Sequence, residues 1–545
     1  MSELILYRGN DHIDLELSKT PRYLYQIGGG EVAGGTFIEL NDAARLNRIA
    51  EEVRDLYTKW VYSLNDRFLN SNLIIDGLSL FFISDLSCKR SEFFDTYDSI
   101  CTLLLLREKL GGEEVSHARL IGIDEPFAVA FRSFFPNVRV RIERKQTEKT
   151  ALVRRLVSDL RYIVRTLGVI GLNWISASPQ GPVVTRRKFL SFFPAMFDKT
   201  MKEVKYGTLV GQASEFAVTV LADGMHQNAS LKEYFCLSRA VERKGMYLVD
   251  RCLRVSDVWI GLVWGVKLWG YFFSQRGGRH VFGGIDISGF IRRELRFSIS
   301  RIVRLLIIKG AVFKFLKETR PDELYYYPVE YPFGRMVSWI STLATPSTQR
   351  IGFQMGIVSQ RRIEQFMAAD EGSVVAPFTH QVPIPDRVLA EGPKSASVYR
   401  YAGYQGVEIM DRVYRYEYLS RIRPEKRKSV KLIALGLHDG PTLLNTLSRK
   451  ILRDPEQTWI IKPHPRSRNE FLETWQSVAG VKISAQPIEE LLSIASEVYV
   501  TYGSVGLEAS ALGLNVHIID IPGRVNASPL LDDHDVITTG MRPAI

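Results

Sequence analysis

The sequence predicts an α/β protein built on parallel, doubly wound sheets, and three observations carry that reading. Short runs rich in β-branched and aromatic residues alternate with segments of helical periodicity, most regularly after Ser429. Two of these runs, Trp459-Ile460-Ile461 and Val498-Tyr499-Val500, stop abruptly at Lys462-Pro463-His464-Pro465 and at Thr501-Tyr502-Gly503-Ser504. The 545 residues exceed what one ordinary core supports, so two or more domains are expected.

In chain order, residues 1–70 read as a mixed opening, with turns at Gly28-Gly29-Gly30 and Gly34-Gly35 and a helix over 42–69. Residues 79–84 read as a short strand and 95–110 as a helix. A strand over 118–123 ends in Asp124-Glu125-Pro126 before a helix from Phe127. Further strands are expected near 216–222, 323–329, 350–354 and 387–390. From Ser429 the pattern gives strands at 430–435, 458–461, 481–483, 498–501 and 515–519. Helices at 441–453, 468–478, 488–495 and 506–512 separate them, the order of a parallel sheet. The charged connector 421–428 is the expected linker between an N-terminal α/β lobe with helical insertions, residues 1–427, and a Rossmann-like C-terminal lobe, residues 428–545.

An apolar fraction of 46% and a charged fraction of 24% are those of a folded globular protein. The net charge of +11 suits a polyanion, an anionic membrane surface or phosphate-bearing substrates. No finger or aromatic RNA-binding strand motif accompanies it, so nucleic acid is not an expected partner. Cys88, Cys101, Cys236 and Cys252 show no C-x-x-C spacing, which fits reduced thiols and a cytoplasmic location. The N-terminus lacks the pattern of a secretory signal. The aromatic segment 258–273 falls short of the ~20 apolar residues of a span and contains Lys267, so a buried or interfacial helix is expected. Arg292, Arg293, Arg296, Arg301 and Arg304, set among apolar residues, either lie peripherally on anionic lipid or belong to an amphipathic helix packed on its own domain, the commoner outcome.

Ligands of open parallel sheets sit beyond the carboxyl ends of strands, often at a helix N-terminus whose free N–H groups favour phosphate. The C-terminal region offers three such ends. Gly436-Leu437-His438-Asp439-Gly440 is a turn-rich loop whose glycines allow close backbone approach, and either a simple turn or ligand contact by His438 and Asp439 fits it. Lys462-Pro463-His464-Pro465 holds an imidazole rigidly beside a cation. Thr501-Tyr502-Gly503-Ser504-Val505-Gly506-Leu507-Glu508 fits a strand-to-helix phosphate loop, with Glu508 in the first helical turn, where it can bind ribose or complement the helix dipole. No G-x-x-x-x-G-K-[ST] and no G-x-G-x-x-G after a first strand is present, which argues against a P-loop NTPase and a dinucleotide dehydrogenase.

Lys462-Pro463-His464-Pro465 and Gly503-Ser504-Val505-Gly506-Leu507-Glu508-Ala509, followed by Gly513 and Val516, resemble the C-terminal half of bacterial surface-carbohydrate glycosyltransferases. Those are two-lobed GT-B enzymes, including capsule Kdo transferases and sialyl- and polysialyltransferases with a His-Pro motif. Upstream, 80–89, Glu330, Arg350-Ile351-Gly352-Phe353-Gln354 and Ile384-Pro385-Asp386-Arg387 occur in the order of a bacterial surface-carbohydrate (O-antigen) biosynthesis family. The resemblance implies a GT-B-like fold and transfer of a sugar from a nucleotide-activated donor, CMP-linked donors among them, to a lipid-linked or polysaccharide acceptor.

It further implies an inverting, metal-independent reaction with no cofactor beyond the donor, and nucleotide and phosphate contacts from His464, Ser504 and Glu508. Met355 departs from the pattern, which has a histidine after Gln354. Asp533-His534-Asp535 reads as a solvated acidic turn. The general base is expected among Asp124 and Glu125, then Asp85, then Asp223, acidic residues at strand ends or in a short acidic-Gly match. A capping or ion-pair role is the ordinary alternative for each. Lys89, Arg90, Glu330, Arg350 and Gln354 are candidates for sugar or acceptor contact. A nucleotide-sugar 2-epimerase, a polyol-phosphate transferase and a non-catalytic assembly protein are the competing readings.

Overall fold

The computed structural model describes residues 2–15, 22–33, 36–143, 151–176, 184–224, 229–422, 429–465, 467 and 469–532. Gly34-Gly35, most of the linker and Asp533-His534-Asp535 lie outside these described residues.

The protein is α/β, and three parallel sheets organise it. The first comprises β1 (Ser2–Arg8), β2 (Arg22–Ile27), β3 (Ile38–Glu39), β4 (Val115–Ile121) and β5 (Arg139–Glu143), in the order β3-β2-β1-β4-β5. The second comprises β6 (Arg187–Phe192), β7 (Phe216–Thr219), β8 (Tyr247–Leu248), β9 (Glu323–Tyr326), β10 (Gln349–Phe353), β11 (Arg387–Ala390) and β12 (Val407–Ile409). Its order is β8-β7-β6-β9-β10-β11-β12. The third comprises β13 (Val430–Ala434), β14 (Thr458–Lys462), β15 (Val481–Ile483), β16 (Glu497–Val500) and β17 (Asn515–Ile518), in the order β15-β14-β13-β16-β17. Each sheet therefore starts at its middle, winds outward, and returns to wind the other way. That reversal creates a crevice between β1 and β4, between β6 and β9, and between β13 and β16.

The N-terminal 427 residues, expected as an α/β lobe with helical insertions, carry the first two sheets. The opening that read as mixed supplies β1 and β2, whose central residues Leu4, Ile5, Leu6, Leu24 and Tyr25 are buried on both faces and so show no alternation. Residues 79–84 are not the strand expected. Leu80–Ile83 form a 3₁₀ turn, buried on every side, started where Ser79 Oγ accepts from the Phe81 N–H. The helix expected over 468–478 is likewise a 3₁₀ segment, Glu470–Trp475.

The helices that bear on function are α1 (Ala43–Ser63), α2 (Thr96–Lys109), α3 (Glu125–Phe134), α4 (Ala151–Ile175), α5 (Val255–Ser274), α6 (Ser288–Thr319), α7 (Pro332–Ala344), α8 (Gly440–Arg453) and α9 (Ser504–Ala511). The long α6 packs against α3, α5 and α7. Three of its arginines are paired within the protein: Arg293 with Asp95 and Asp124, Arg301 with Asp85 at 2.8 Å, and Arg304 with Asp159 at 2.8 Å, while Arg292 is exposed. Carboxylates on neighbouring elements hold these three cations, so this part of the amphipathic pattern of α6 reflects internal pairing. Among the described residues no helix is long and apolar enough to cross a membrane.

The carboxyl ends of the first and third sheets face each other, the GT-B-like arrangement. Gly28, just after β2, donates its N–H to Pro522 O at 2.9 Å beyond β17. Asn445 Nδ2 on α8 donates to Asn10 O at 2.8 Å beyond β1. The second sheet joins through Arg361, beyond β10, which bonds Asn526 O at 2.7 Å, Glu51 on α1 at 2.7 Å and Asp532 at 2.9 Å.

Candidate functional site

The crevice of the third sheet opens onto a cleft shared with the other two. β13 continues into the loop carrying Asp439, and β16 continues into Thr501 and Tyr502. Thr501 Oγ1 donates to Asp439 Oδ2, joining the two strand ends where the strand order reverses. The approach is close because residue 436 is glycine: a Cβ there would lie 2.1 Å from Asp439 Oδ1. Burial holds the Asp439 carboxyl above the usual range, against the lowering effect of the Thr501 bond. Its Oδ1 is buried with no protein partner, an acceptor position left for a ligand hydroxyl or N–H.

The same cavity is lined by Ser91 and Glu92 before α2, by Tyr97 and Asp98 in its first turn, and by Arg361, Arg362 and Glu364 from the loop after β10. Ile519, Ile521 and Arg524 complete the wall around a cavity of about 50 Å³, room for a few water molecules. Asp98 accepts the Val525 N–H at 3.3 Å. Burial pushes its carboxyl up to about 7, with Arg524 pulling the other way. A carboxylate that takes up a proton near neutrality, beside a cation and lining the same cavity as Asp439, has the properties of a general base. Arg362 is held by Glu92, by Glu364 at 3.2 Å and by the Tyr331 hydroxyl at 2.7 Å. Burial raises the Glu364 carboxyl, whereas Arg362 and Arg90 outweigh burial at Glu92 and hold it low.

A second group of polar side chains surrounds the N-terminus of α9. Gly503 precedes it in extended conformation with open space where a Cβ would lie. Ser504 Oγ donates to Glu508 Oε1 at 3.0 Å, and the Tyr418 hydroxyl donates to Oε2. Arg415, held by Glu391, lies close enough to influence Glu508, as does Lys205, whose ammonium burial lowers to about 8. Gly506 serves packing, since a Cβ would meet Val500 at 3.1 Å and Leu530 at 3.2 Å.

Lys462 donates to Ala485 O at 3.2 Å, and the half-buried His464 accepts at its carbonyl from Ser467. Pro465 is exposed. His438 is exposed, its ring centroid 5.1 Å from that of Phe93 in an edge-on arrangement. All stand at the same carboxyl edge, so the structure gathers the C-terminal candidates on one side of the molecule.

The N-terminal candidates are held differently. Asp124 caps α3 through the Phe127 N–H at 3.0 Å and pairs with Arg293 at 2.9 Å. Asp85 is buried against Arg301 and Arg90. Glu125 is half-exposed near Arg132, at 3.9 Å. Asp223 accepts the Ala195 N–H at 3.0 Å. Lys89 donates to Ser87 O at 2.9 Å, and burial lowers its ammonium to about 8. Arg350 forms a paired fork with Asp386, and Gln354 bonds the backbone of Gly356 and Glu391. Glu330 is buried, which raises its carboxyl. Met355 packs partly buried against the core.

Sequence reasoning missed Asp98, Glu92, Arg362, Arg415 and Arg524. The one available signal was Asp98 itself, an acid inside the helix Thr96–Lys109 beside the apolar run Ile100 to Leu106.

No protein-family profile matches the chain, and no curated protein matches it. Among solved structures it is similar to a UDP-N-acetylglucosamine 2-epimerase from Rickettsia bellii, at 14% identity and a TM-score of 0.29, over 39% of this chain and 61% of that one. A UDP-GlcNAc 2-epimerase from Neisseria meningitidis bound to UDP-GlcNAc matches at 10% identity and a TM-score of 0.33, over 61% and 82%. MurG from Acinetobacter baumannii matches at 11% identity and a TM-score of 0.33, over 62% and 80%. The chain thus spans about three fifths of the Rickettsia bellii structure. The strand order and the cleft stand on the structure of this chain alone.

Proposed function

We propose that the protein is a glycosyltransferase that moves a sugar from a nucleotide-activated donor to an acceptor hydroxyl in the cleft between the three sheets. The observation that carries this reading is the pairing of Asp439 and Thr501 at the crevice of the third sheet, in a cavity that Asp98 also lines. A nucleotide lies along the carboxyl edge from His464 to Ser504, with Asp439 Oδ1 accepting a hydroxyl or base N–H. The α9 N-terminus, Lys205 and Arg415 face the donor phosphate.

In this scheme Asp98 replaces Asp124, Glu125 and Asp85 as the base. It takes the proton of the acceptor hydroxyl as that oxygen attacks the anomeric carbon from the face opposite the leaving group. The bond to the phosphate oxygen breaks, its electron pair leaves with the nucleotide, and the anomeric configuration inverts. Fixed N–H groups and cations stabilise the leaving phosphate. The acceptor is a lipid-linked or polysaccharide chain at a cytoplasmic site.

Thermal unfolding with CMP, CDP, UDP and GDP tests the donor site. Bound nucleotide should raise the melting temperature in a concentration-dependent way. If none of the four shifts it, the transferase reading fails.

A further inference from the structure

We propose that the outer faces of α4 and α5 form a platform that docks the protein on an anionic lipid surface. This inference does not depend on the transferase reading.

The two helices touch each other, and each carries an unpartnered apolar stripe. On α4, Leu156, Leu160 and Val164 recur at helical spacing and are exposed. On α5, Trp259, Val263 and Val266 do the same. Half of the large apolar side chains exposed among the described residues belong to these two helices. Soluble monomers seldom expose an apolar patch of that extent. Trp174 and Trp259 are 87% and 66% exposed. Indole in such positions suits the boundary between headgroups and acyl chains, where its ring is apolar and its N–H is wet.

Charge distribution identifies the occupant. Each helix contains one carboxylate, and both are turned inward. Asp159 bonds Arg304 and Ser300 on α6, at 2.8 and 2.5 Å. Asp257 accepts the Arg254 N–H at 2.8 Å and abuts Gly310, where a Cβ would lie 2.0 Å from its Oδ1. Among the described residues of the two helices and the cap of α5, the exposed charges are cations: Arg161, Arg254 and Lys267. Lys267 lies 4.3 Å over the Trp264 ring, its stem along the apolar surface. Apolar stripes whose own helices turn only cations outward complement phosphate headgroups over hydrocarbon. A second copy of this chain would present the same cations, and its own two helices would turn no carboxylate outward to pair them. Since no described helix can cross a bilayer, the contact is peripheral.

The test is co-sedimentation of the full chain with vesicles of phosphatidylcholine alone and of phosphatidylcholine mixed with phosphatidylglycerol, at low and raised salt. The protein should pellet with the anionic vesicles, more weakly as salt rises. Val266→Glu combined with Trp174→Ser and Trp259→Ser should reduce binding by about tenfold or more. These side chains are exposed, so the far-ultraviolet circular dichroism and melting temperature of the variant should match the parent's. Failure of the parent to bind anionic vesicles would overturn the proposal, as would equal binding by a folded variant. A parent dimer that the variant loses, without vesicle binding, would assign the face to self-association and overturn it too.

Discussion

Thr501 Oγ1 donates to Asp439 Oδ2 across the crevice where the third sheet reverses its winding, and this bond leaves Asp439 Oδ1 buried and unpartnered beside the cleft. The two residues are far apart in sequence and meet because β13 and β16 are neighbours. Thr501→Val removes the donor and leaves a buried carboxyl with neither oxygen bonded. The expected cost is about 1–3 kcal/mol in denaturant unfolding, together with a smaller nucleotide-induced thermal shift.

Gly436→Ala probes the same carboxyl sterically. The new Cβ would lie 2.1 Å from Asp439 Oδ1, so the side chain must rotate or the loop must move. The expected result is weaker nucleotide stabilisation, while far-ultraviolet circular dichroism stays that of the parent.

Asp98→Asn should lower kcat by roughly 10²–10⁴-fold, the usual contribution of a general base, with nucleotide binding retained. Because the Asp98 carboxyl is pushed up to about 7, parent activity should fall as pH drops through neutrality and the base becomes protonated. A parent rate that is flat across that range would remove Asp98 from the role.

Asp124→Ala should act on stability. It removes the α3 cap and one carboxylate from Arg8 and Arg293, leaving them Asp95. A loss of about 2 kcal/mol or more is expected, with the nucleotide-induced shift intact. A stable variant that binds nucleotide and has lost turnover would restore Asp124 as the base.

Glu294, in the middle of the core beside Thr96, is pushed by burial up to about 8. The unfolded side chain titrates near about 4.3. Between those values the folded state holds the extra proton, so stability falls as pH rises through that window and the full cost is present above it. Asp98 contributes with the same sign up to about 7. Glu294→Gln should therefore flatten the decline in melting temperature between about pH 5 and 9, measured against the parent.

The third sheet was legible in the sequence because its strands are short, β-branched and separated by helices of clear periodicity. Val430–Ala434, Thr458–Lys462 and Glu497–Val500 all stand where the pattern expects them. The first sheet was not legible as a sheet. Its central strands are buried on both faces, and a fully buried run such as Leu4-Ile5-Leu6 has no period to read. The same ambiguity made 79–84 read as a strand, because apolar content alone does not separate a strand from a buried turn.

The sequence by itself determined the α/β class, the parallel winding of the C-terminal region and the strand ends that carry Asp439, His464, Thr501 and Ser504. Local propensity and turn chemistry act within a few residues, and those features are local. Only the tertiary structure decided which acids face the cleft. Asp85 and Asp124 look like strand-end acids in one dimension, yet arginines of α6, far along the chain, pair with both. Asp98, inside a helix that read as ordinary, lines the same cavity as Asp439, with Glu92 and Glu364 beside it. A carboxyl's proton affinity depends on burial and on neighbouring charge, and long-range packing sets both.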